Sequence, residues 1–148
     1  MTRRCCGWLM LAVGILALAG CARRRYEELG EYTAPQTVMT RSEALAAAAA
    51  LLTGLPEGVG SGLKVTADGV SGTVKRSKVS RAQTVNIQWS QVQNVYIGRH
   101  KRSGLMMVDF RPASGSARER LLRLGMASEV DAVKLADAAL TLAKKEEK

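Results

Sequence analysis

Residues 85–97 read VNIQWSQVQNVYI, and residues 104–110, a short polar interval later, read GLMMVDF. In the first stretch Val85, Ile87 and Trp89 alternate with polar residues, and this period of two predicts a half-buried β-strand followed by a second extended segment. The second stretch is apolar almost throughout, as in a strand at the centre of a sheet. Too few residues separate these strands for helical crossovers, so the sequence predicts antiparallel neighbours.

Further strands are predicted on both sides of this centre. Upstream, apolar and polar residues alternate over residues 63–67, and Asp68-Gly69 is a favoured two-residue turn that leads into a strand over residues 70–74. Downstream, residues 118–124 predict one more strand, with Leu122 and Leu124 facing inward.

A helix is predicted at each end of the strand region. Thr40 and Glu43 form a capping-box pattern ahead of an alanine-rich run that closes at Gly54 and Pro56. Near the C-terminus, Ser128 and Asp131 are typical of a helix cap, and an amphipathic pattern follows. Apolar residues cover half of that helix, and Lys134, Asp137, Thr141 and Lys144 lie opposite. The predicted fold class is therefore α+β, with an N-terminal alanine-rich helix, short antiparallel strands and a C-terminal amphipathic helix.

The central strands, the basic strand after them and the terminal helix are together similar to pleckstrin-homology-like and GRAM-type barrels, over about residues 63–145. The resemblance implies a small barrel closed at one end by the last helix. An open antiparallel sheet with both helices on one face fits the same pattern, so the sequence leaves both architectures open.

The first twenty residues have the organisation of an export signal. Arg3 and Arg4 precede an apolar run over residues 7–20, GWLMLAVGILALAG. Fourteen helical residues reach roughly 21 Å, which is short of the ~30 Å hydrocarbon core of a bilayer. The pattern therefore predicts a cleaved signal rather than a stable membrane span.

The end of this run, Leu18, Ala19, Gly20 and Cys21, resembles the lipobox of bacterial lipoproteins. The resemblance implies that the Cys21 sulfur receives a diacylglyceryl group, that residues 1–20 are removed, and that the membrane is reached through lipidated Cys21. By the sorting rule of enteric lipoproteins, Ala22 implies the outer membrane, facing the periplasm. An ordinary signal peptide and an uncleaved anchor are the alternatives.

Removal of the signal would leave a chain with one cysteine, a tether and a single domain. Cys5 and Cys6 would leave with it, so Cys21 would have no disulfide partner. Residues 21–37 are polar and lack a helical or strand period, which predicts a flexible, lipid-anchored tether. Residues 38–148 then form a single α+β domain.

The charge balance is basic, with 22 Lys and Arg against 13 Asp and Glu. Arg3 and Arg4 leave with the signal, so the mature chain has 20 against 13, a net charge of +7. The basic residues form two clusters between predicted strands: Lys75, Arg76, Lys78 and Arg81, and then Arg99, Lys101 and Arg102. If both loops lie at one end of the sheet, they predict a surface for an anionic lipid or glycan. Solvated charges that protect strand edges are the alternative. An exported chain without aromatic residues among its charges is not expected to bind nucleic acid.

No set of catalytic or metal-binding residues is predicted, and no cofactor. His100 is the single histidine, and it lies among Arg99, Lys101 and Arg102. These cations disfavour a metal ion beside it. We therefore expect a non-enzymatic, lipid-anchored envelope protein that binds or scaffolds another envelope protein. Binding of an anionic lipid or glycan through the basic loops is the alternative.

Overall fold

The computed structural model describes residues 26–33, 35–55, 62–74, 82–113 and 119–144. In chain order its elements are β1 (Tyr26–Glu31), α1 (Arg41–Thr53), β2 (Lys64–Val65), β3 (Gly69–Val74), β4 (Gln83–Gln88), a 3₁₀ turn (Trp89–Gln91), β5 (Asn94–His100), β6 (Met106–Arg111), β7 (Leu122–Met126) and α2 (Glu129–Ala143).

The larger sheet has four antiparallel strands in the order β1-β5-β6-β7. The prediction that residues 105–110 form a central strand is confirmed, because β6 lies between β5 and β7. Val95 is opposite Phe110, and Phe110 is opposite Leu122. These three side chains are buried, and they define the inner face of the sheet.

The smaller sheet has three antiparallel strands in the order β2-β3-β4. The predicted hairpin is confirmed, but its turn lies one residue earlier than expected. Val65 pairs with Val70, and the Thr66 N–H donates to the Gly69 carbonyl at 2.9 Å, which leaves Ala67 and Asp68 as the loop. Glycine is required at position 69 because a Cβ there would lie 2.0 Å from the carbonyl oxygen of Ile87 on β4.

Trp89 links the two sheets. The indole N–H donates to the Thr66 carbonyl at 3.0 Å, beside the β2–β3 turn. Its ring meets Phe110 of the larger sheet edge-on, with centroids 6.4 Å apart. The smaller sheet therefore shares one apolar core with the inner face of the larger sheet.

The two helices pack against each other, and α2 separates α1 from the larger sheet. α2 contacts β5, β6 and β7, whereas α1 contacts α2 and β2. The predicted capping box of α1 is confirmed, with Thr40 as the N-cap and Glu43 closing the motif. Ala44, Ala48 and Leu52 of α1 are buried, and the two small alanine side chains let the helices approach closely.

The predicted α+β class is confirmed. Within the described residues, two helices accompany two antiparallel sheets that do not close into a barrel. Within the described residues neither architecture that the sequence left open is found in full, because the sheets are open but two in number, and α1 packs on α2 and β2.

Three local predictions need correction. Residues 26–31, expected in the flexible tether, form β1, because their backbone completes the edge of β5. Asp137, expected on the polar side of α2, is fully buried, because Tyr32, Gln36 and Thr37 lie against it and donate to its carboxylate. The last strand begins at Leu122 and not at residue 118, although Leu122 and Leu124 do face inward.

Candidate functional site

The turn between β5 and β6 projects a pair of basic side chains. We call residues Lys101, Arg102, Ser103 and Gly104 the hairpin tip; Lys101 and Arg102 are exposed. The His100 N–H donates to the Leu105 carbonyl at 2.9 Å and the Gly104 N–H to the His100 carbonyl at 2.8 Å. Gly104 has a φ of +69°, which glycine adopts without strain. The tip is therefore a defined turn that presents two cations.

The His100 side chain closes this turn. The Ser103 N–H donates to Nδ1 at 3.2 Å, and the Ser103 hydroxyl lies 3.0 Å from the same nitrogen. The geometry assigns this nitrogen a structural task at the base of the hairpin tip.

Arg99 connects the hairpin tip to the start of α2. Its Nη2 lies 3.7 Å from Glu129 Oε2, and the two side chains are 50% and 67% exposed. Such exposed pairs contribute at most about 1 kcal/mol. Arg99, predicted as part of the basic cluster, thus forms an ion pair with Glu129. This contact also shows that the first turn of α2 lies at the same end of the domain as the hairpin tip.

The first described residue of the chain lies beside the hairpin tip. Tyr26 pairs with His100, and Glu27 pairs with Arg99. Cys21 is five residues before Tyr26 in the sequence, and five residues span at most about 18 Å even when fully extended.

The other predicted site residues cannot be placed. Lys75, Arg76, Lys78 and Arg81 lie outside the described residues, as does Cys21. The joint basic surface that the sequence suggested stays a prediction, and only its Arg99, Lys101 and Arg102 half has a described geometry.

A buried carboxylate fastens the N-terminal segment to α2. Asp137 accepts hydrogen bonds from the Tyr32 hydroxyl at 2.7 Å, the Gln36 N–H at 3.2 Å and the Thr37 N–H at 2.9 Å. Burial, and then the hydrogen bond to Asp137, raise the pKa of the Tyr32 phenol above its usual range. The contacts hold Tyr32, Gln36 and Thr37 against the middle of α2.

An open groove of about 410 Å³ lies between this segment and the first half of α2. Its lining combines apolar and polar side chains: Gln36, Thr37, Met39, Glu129, Val130, Val133, Lys134 and Asp137. Among the described residues two large apolar side chains are exposed: Val130, which lines this groove, at 74%, and Val38, which does not line it, at 99%. Val38 lies between two lining residues in sequence.

The face of the larger sheet that points away from Phe110 carries a buried charge cluster. Asp109 is fully buried, and both of its oxygens accept from Arg123. Arg111 Nη2 lies 3.3 Å from the same carboxylate, and the Arg111 guanidinium lies 3.8 Å over the Tyr96 ring. Within this cluster Arg111 Nε has no hydrogen-bond partner. We call this side of the sheet the outer face.

Sequence reasoning missed both buried aspartates, for different reasons. In β6 the strand period already places Asp109 and Arg111 on one face, opposite Val108 and Phe110. That signal was available. The sequence contains no comparable signal for Asp137, because its burial depends on the segment around Gln36, about a hundred positions away.

Within the part of the chain that the structure describes, no group of three or more His, Cys, Asp or Glu side chains could hold a metal ion. No helix in these ranges is long and apolar enough to cross a membrane. In comparisons with known proteins, no family model matches the sequence, and no curated protein or solved structure matches it.

Proposed function

We propose that this protein is a bacterial envelope lipoprotein, anchored through Cys21, whose non-enzymatic domain is a scaffold held against the bilayer by the hairpin tip. The observation that carries the proposal is the pairing of Tyr26 with His100. It puts Tyr26, which follows the proposed lipidation site by five residues in the sequence, beside the base of the basic turn. The outer membrane, facing the periplasm, is the location that Ala22 favours.

The short distance between anchor and fold supports a fixed orientation. A free tether to residue 37 would let the domain turn in any direction. Because β1 begins at Tyr26, only residues 22–25 separate Cys21 from the sheet. The opposite end of β5, at Asn94, lies about 20 Å further away, since a strand rises about 3.3 Å per residue.

Charge favours the same orientation. Lys101 and Arg102 are exposed at the hairpin tip, and residues 23–25 add three arginines beside the anchor in sequence. Each basic residue close to an anionic surface contributes about 1 kcal/mol. The two described cations would therefore favour the tip-down orientation by about 2 kcal/mol, roughly thirtyfold.

The buried charges support a non-enzymatic role. Asp109 and Asp137 are both fully buried, and each is engaged by neighbours that hold elements of the fold together. Asp109 joins β6 to β7 through Arg123, and Asp137 joins α2 to the segment after β1. The hydrogen-bond partners of these two aspartates explain why the carboxylates are buried, and no bound substrate is needed to explain it.

Metabolic labelling with an alkyne fatty acid tests the anchor. We expect the full chain to incorporate the label, the Cys21→Ser variant to lose it, and the Cys5→Ser variant to keep it as a matched control. Equal labelling of Cys21→Ser and the wild type would contradict the lipoprotein assignment.

Site-specific fluorescence tests the orientation. The lipidated mature chain has no free thiol, so Arg102→Cys or Ser90→Cys introduces a single site for a dye. On vesicles containing phosphatidylglycerol, lipids with a quencher in the head group should quench the dye at residue 102 strongly and the dye at residue 90 weakly. Equal quenching at both positions would contradict the proposed orientation.

A second function, docking of a protein partner on the outer face, is favoured by one observation. Tyr96 carries the Arg111 guanidinium on its ring, and Met107 and Leu105 lie half-buried on the same side. Tyr, Arg and Met are enriched at protein interfaces. Replacing Met107 with a photo-reactive residue in the full chain tests this surface, and adducts that form equally well with a photo-reactive residue at position 90 would contradict it.

A further inference from the structure

We propose that β4 pairs along its outer edge with β4 of a second copy of the chain, so that the two smaller sheets join into one antiparallel sheet. We call the side of β4 that faces away from β3 the open edge. The inference goes beyond the proposed function, because it depends on neither the anchor nor the hairpin tip. It names an interaction surface and commits to the same surface of a second copy as its partner.

The open edge presents backbone groups of alternate residues. β4 pairs with β3 on one side, and within the described ranges no strand pairs with it on the other. The Trp89 N–H donates to the Asp68 carbonyl at 2.9 Å. Because the direction of bonding alternates along an antiparallel strand, the odd-numbered residues of β4 bond to β3 and the even-numbered residues point to the open edge. These are Thr84, Asn86 and Gln88.

The Gln91 side chain limits the length of the open edge. The Gln88 N–H donates to Gln91 Oε1 at 3.0 Å, so this donor is already engaged and the alternation is confirmed. Thr84 and Asn86 remain as the residues that present both an N–H and a carbonyl to the open edge. Both are exposed, whereas Val85 between them is buried in the core. The open edge is therefore accessible on a strand that the core holds in place.

β4 lacks the features that protect the other described sheet edges. β1 carries three glutamates and a register shift between Glu27 and Gly30. Four of the five residues of β7 are buried, and β2 is two residues long and contacts α1. β4, with the sequence QTVNIQ, has no charge, proline or glycine, and its pairing with β3 is regular over all six residues. Proteins block exposed edges with charges, prolines, bulges or short strands, so an edge without them is suited to pairing.

The hydrogen-bonding pattern of the open edge is self-complementary. If Thr84 lies opposite Asn86 of a second copy, a two-fold axis passes at Val85, and the N–H and carbonyl groups of both residues are satisfied in both copies. A shift in one direction would need the Gln88 N–H, which Gln91 engages. A shift in the other direction would use residue 82, which precedes the strand. One register therefore uses every available group, and two-fold contacts of this kind are the commonest in homo-oligomers.

Charge favours self-pairing at this edge over other surfaces. The chain has a net charge of +9, so surfaces that bring lysines and arginines of two copies together repel each other. β4 contributes no charge to such a contact. On the exposed face of the joined sheet, the Thr84 hydroxyl and the Asn86 amide of opposite copies would be neighbours, and such polar cross-strand pairs stabilise sheets.

Photo-cross-linking of the full chain in cells tests the contact. A photo-reactive residue at position 86, whose side chain is exposed, should give a covalent dimer in which it is attached at or beside residue 84 of the second copy. The matched control carries the same residue at position 50, an exposed position on α1, and should give no dimer. Absence of a dimer from position 86, or attachment to a segment outside β4, would overturn the inference.

A backbone change gives an independent measurement. Asn86→Pro removes the N–H at the open edge and leaves the bonds to β3 intact, and proline is tolerated at such edge positions. Two symmetry-related hydrogen bonds are lost, so the dimer should be about thirtyfold weaker in sedimentation of the purified full chain in detergent. Asn86→Ala keeps the N–H and should dimerise like the wild type. Equal dimerisation of the proline and alanine variants would overturn the inference.

Far-UV circular dichroism checks that both variants are folded, and if Asn86→Pro does not fold, the cross-linking from position 86 decides alone. Adducts from position 86 with a different protein, and none with a second copy, would assign the open edge to a foreign strand and overturn the proposed self-pairing. None of these outcomes depends on the lipid anchor or on the orientation of the hairpin tip.

Discussion

Replacement of Asp137 by Asn should destabilise the fold by about 2–4 kcal/mol. The carboxylate is fully buried, and its three hydrogen-bond partners, Tyr32, Gln36 and Thr37, are all donors. An amide has one oxygen, so one N–H would face the amide NH₂ group and lose its acceptor, at about 1–3 kcal/mol. The remaining two bonds would become neutral and about half as strong, which adds about 1 kcal/mol.

The opposing effect is smaller. Removing a buried charge recovers desolvation energy, and an apolar replacement of a whole buried ion pair can even be stabilising. At Asp137 the partners would stay behind, and two of them are backbone N–H groups that no substitution removes. The loss of these hydrogen bonds therefore costs more free energy than is recovered by removing the buried charge.

Chemical denaturation of the full mature chain measures this effect, and thermal unfolding should show a fall of roughly 7–14 °C. Tyr32→Phe, which removes one of the three donors, should cost about 1 kcal/mol. Glu129→Gln on the same helix removes an exposed carboxylate and should change stability by less than about 1 kcal/mol. If Asp137→Asn were as stable as the wild type, the segment over residues 32–37 would not be held by this carboxylate.

Three further predictions concern the helix cap, a close approach and a titration. Thr40→Ala removes the N-cap of α1 and should cost about 1 kcal/mol in the free energy of unfolding, measured with urea; no change would contradict the capping role. Gly69→Ala should destabilise strongly, because its Cβ would meet the Ile87 carbonyl at 2.0 Å, whereas Gly30→Ala has open space around it; similar unfolding midpoints for the two variants would contradict the close approach. The raised pKa of Tyr32 means that the fold favours the protonated phenol. Its contribution should be complete below pH 10 and decline as the pH rises through the folded-state pKa, and Tyr32→Phe should remove that part of the alkaline dependence of stability.

Much of the fold follows from local pattern. The capping residues Thr40 and Ser128, the period-two spacing through Trp89 and the apolar run of β6 predicted the principal elements and the centre of the larger sheet. The buried cluster on the outer face was also within reach of the strand period, since Asp109 and Arg111 are two residues apart. The pairing of Asp109 with Arg123 on β7 depends on the strand register, which the sequence pattern alone does not specify.

The sequence by itself determined the class of the fold, the helices, the strand region and the lipobox-like segment that predicts an anchor at Cys21, because each depends on neighbours in the chain. Only the tertiary structure decided that residues 26–31 pair with β5 and that Asp137 is covered by residues 32–37. Both are contacts between polar segments that lie about 70 to 100 residues apart. Such contacts cannot be predicted from a hydrophobic period in the sequence. The first contact begins the sheet at Tyr26, beside the base of the hairpin tip, and the second holds Gln36 and Thr37 against α2.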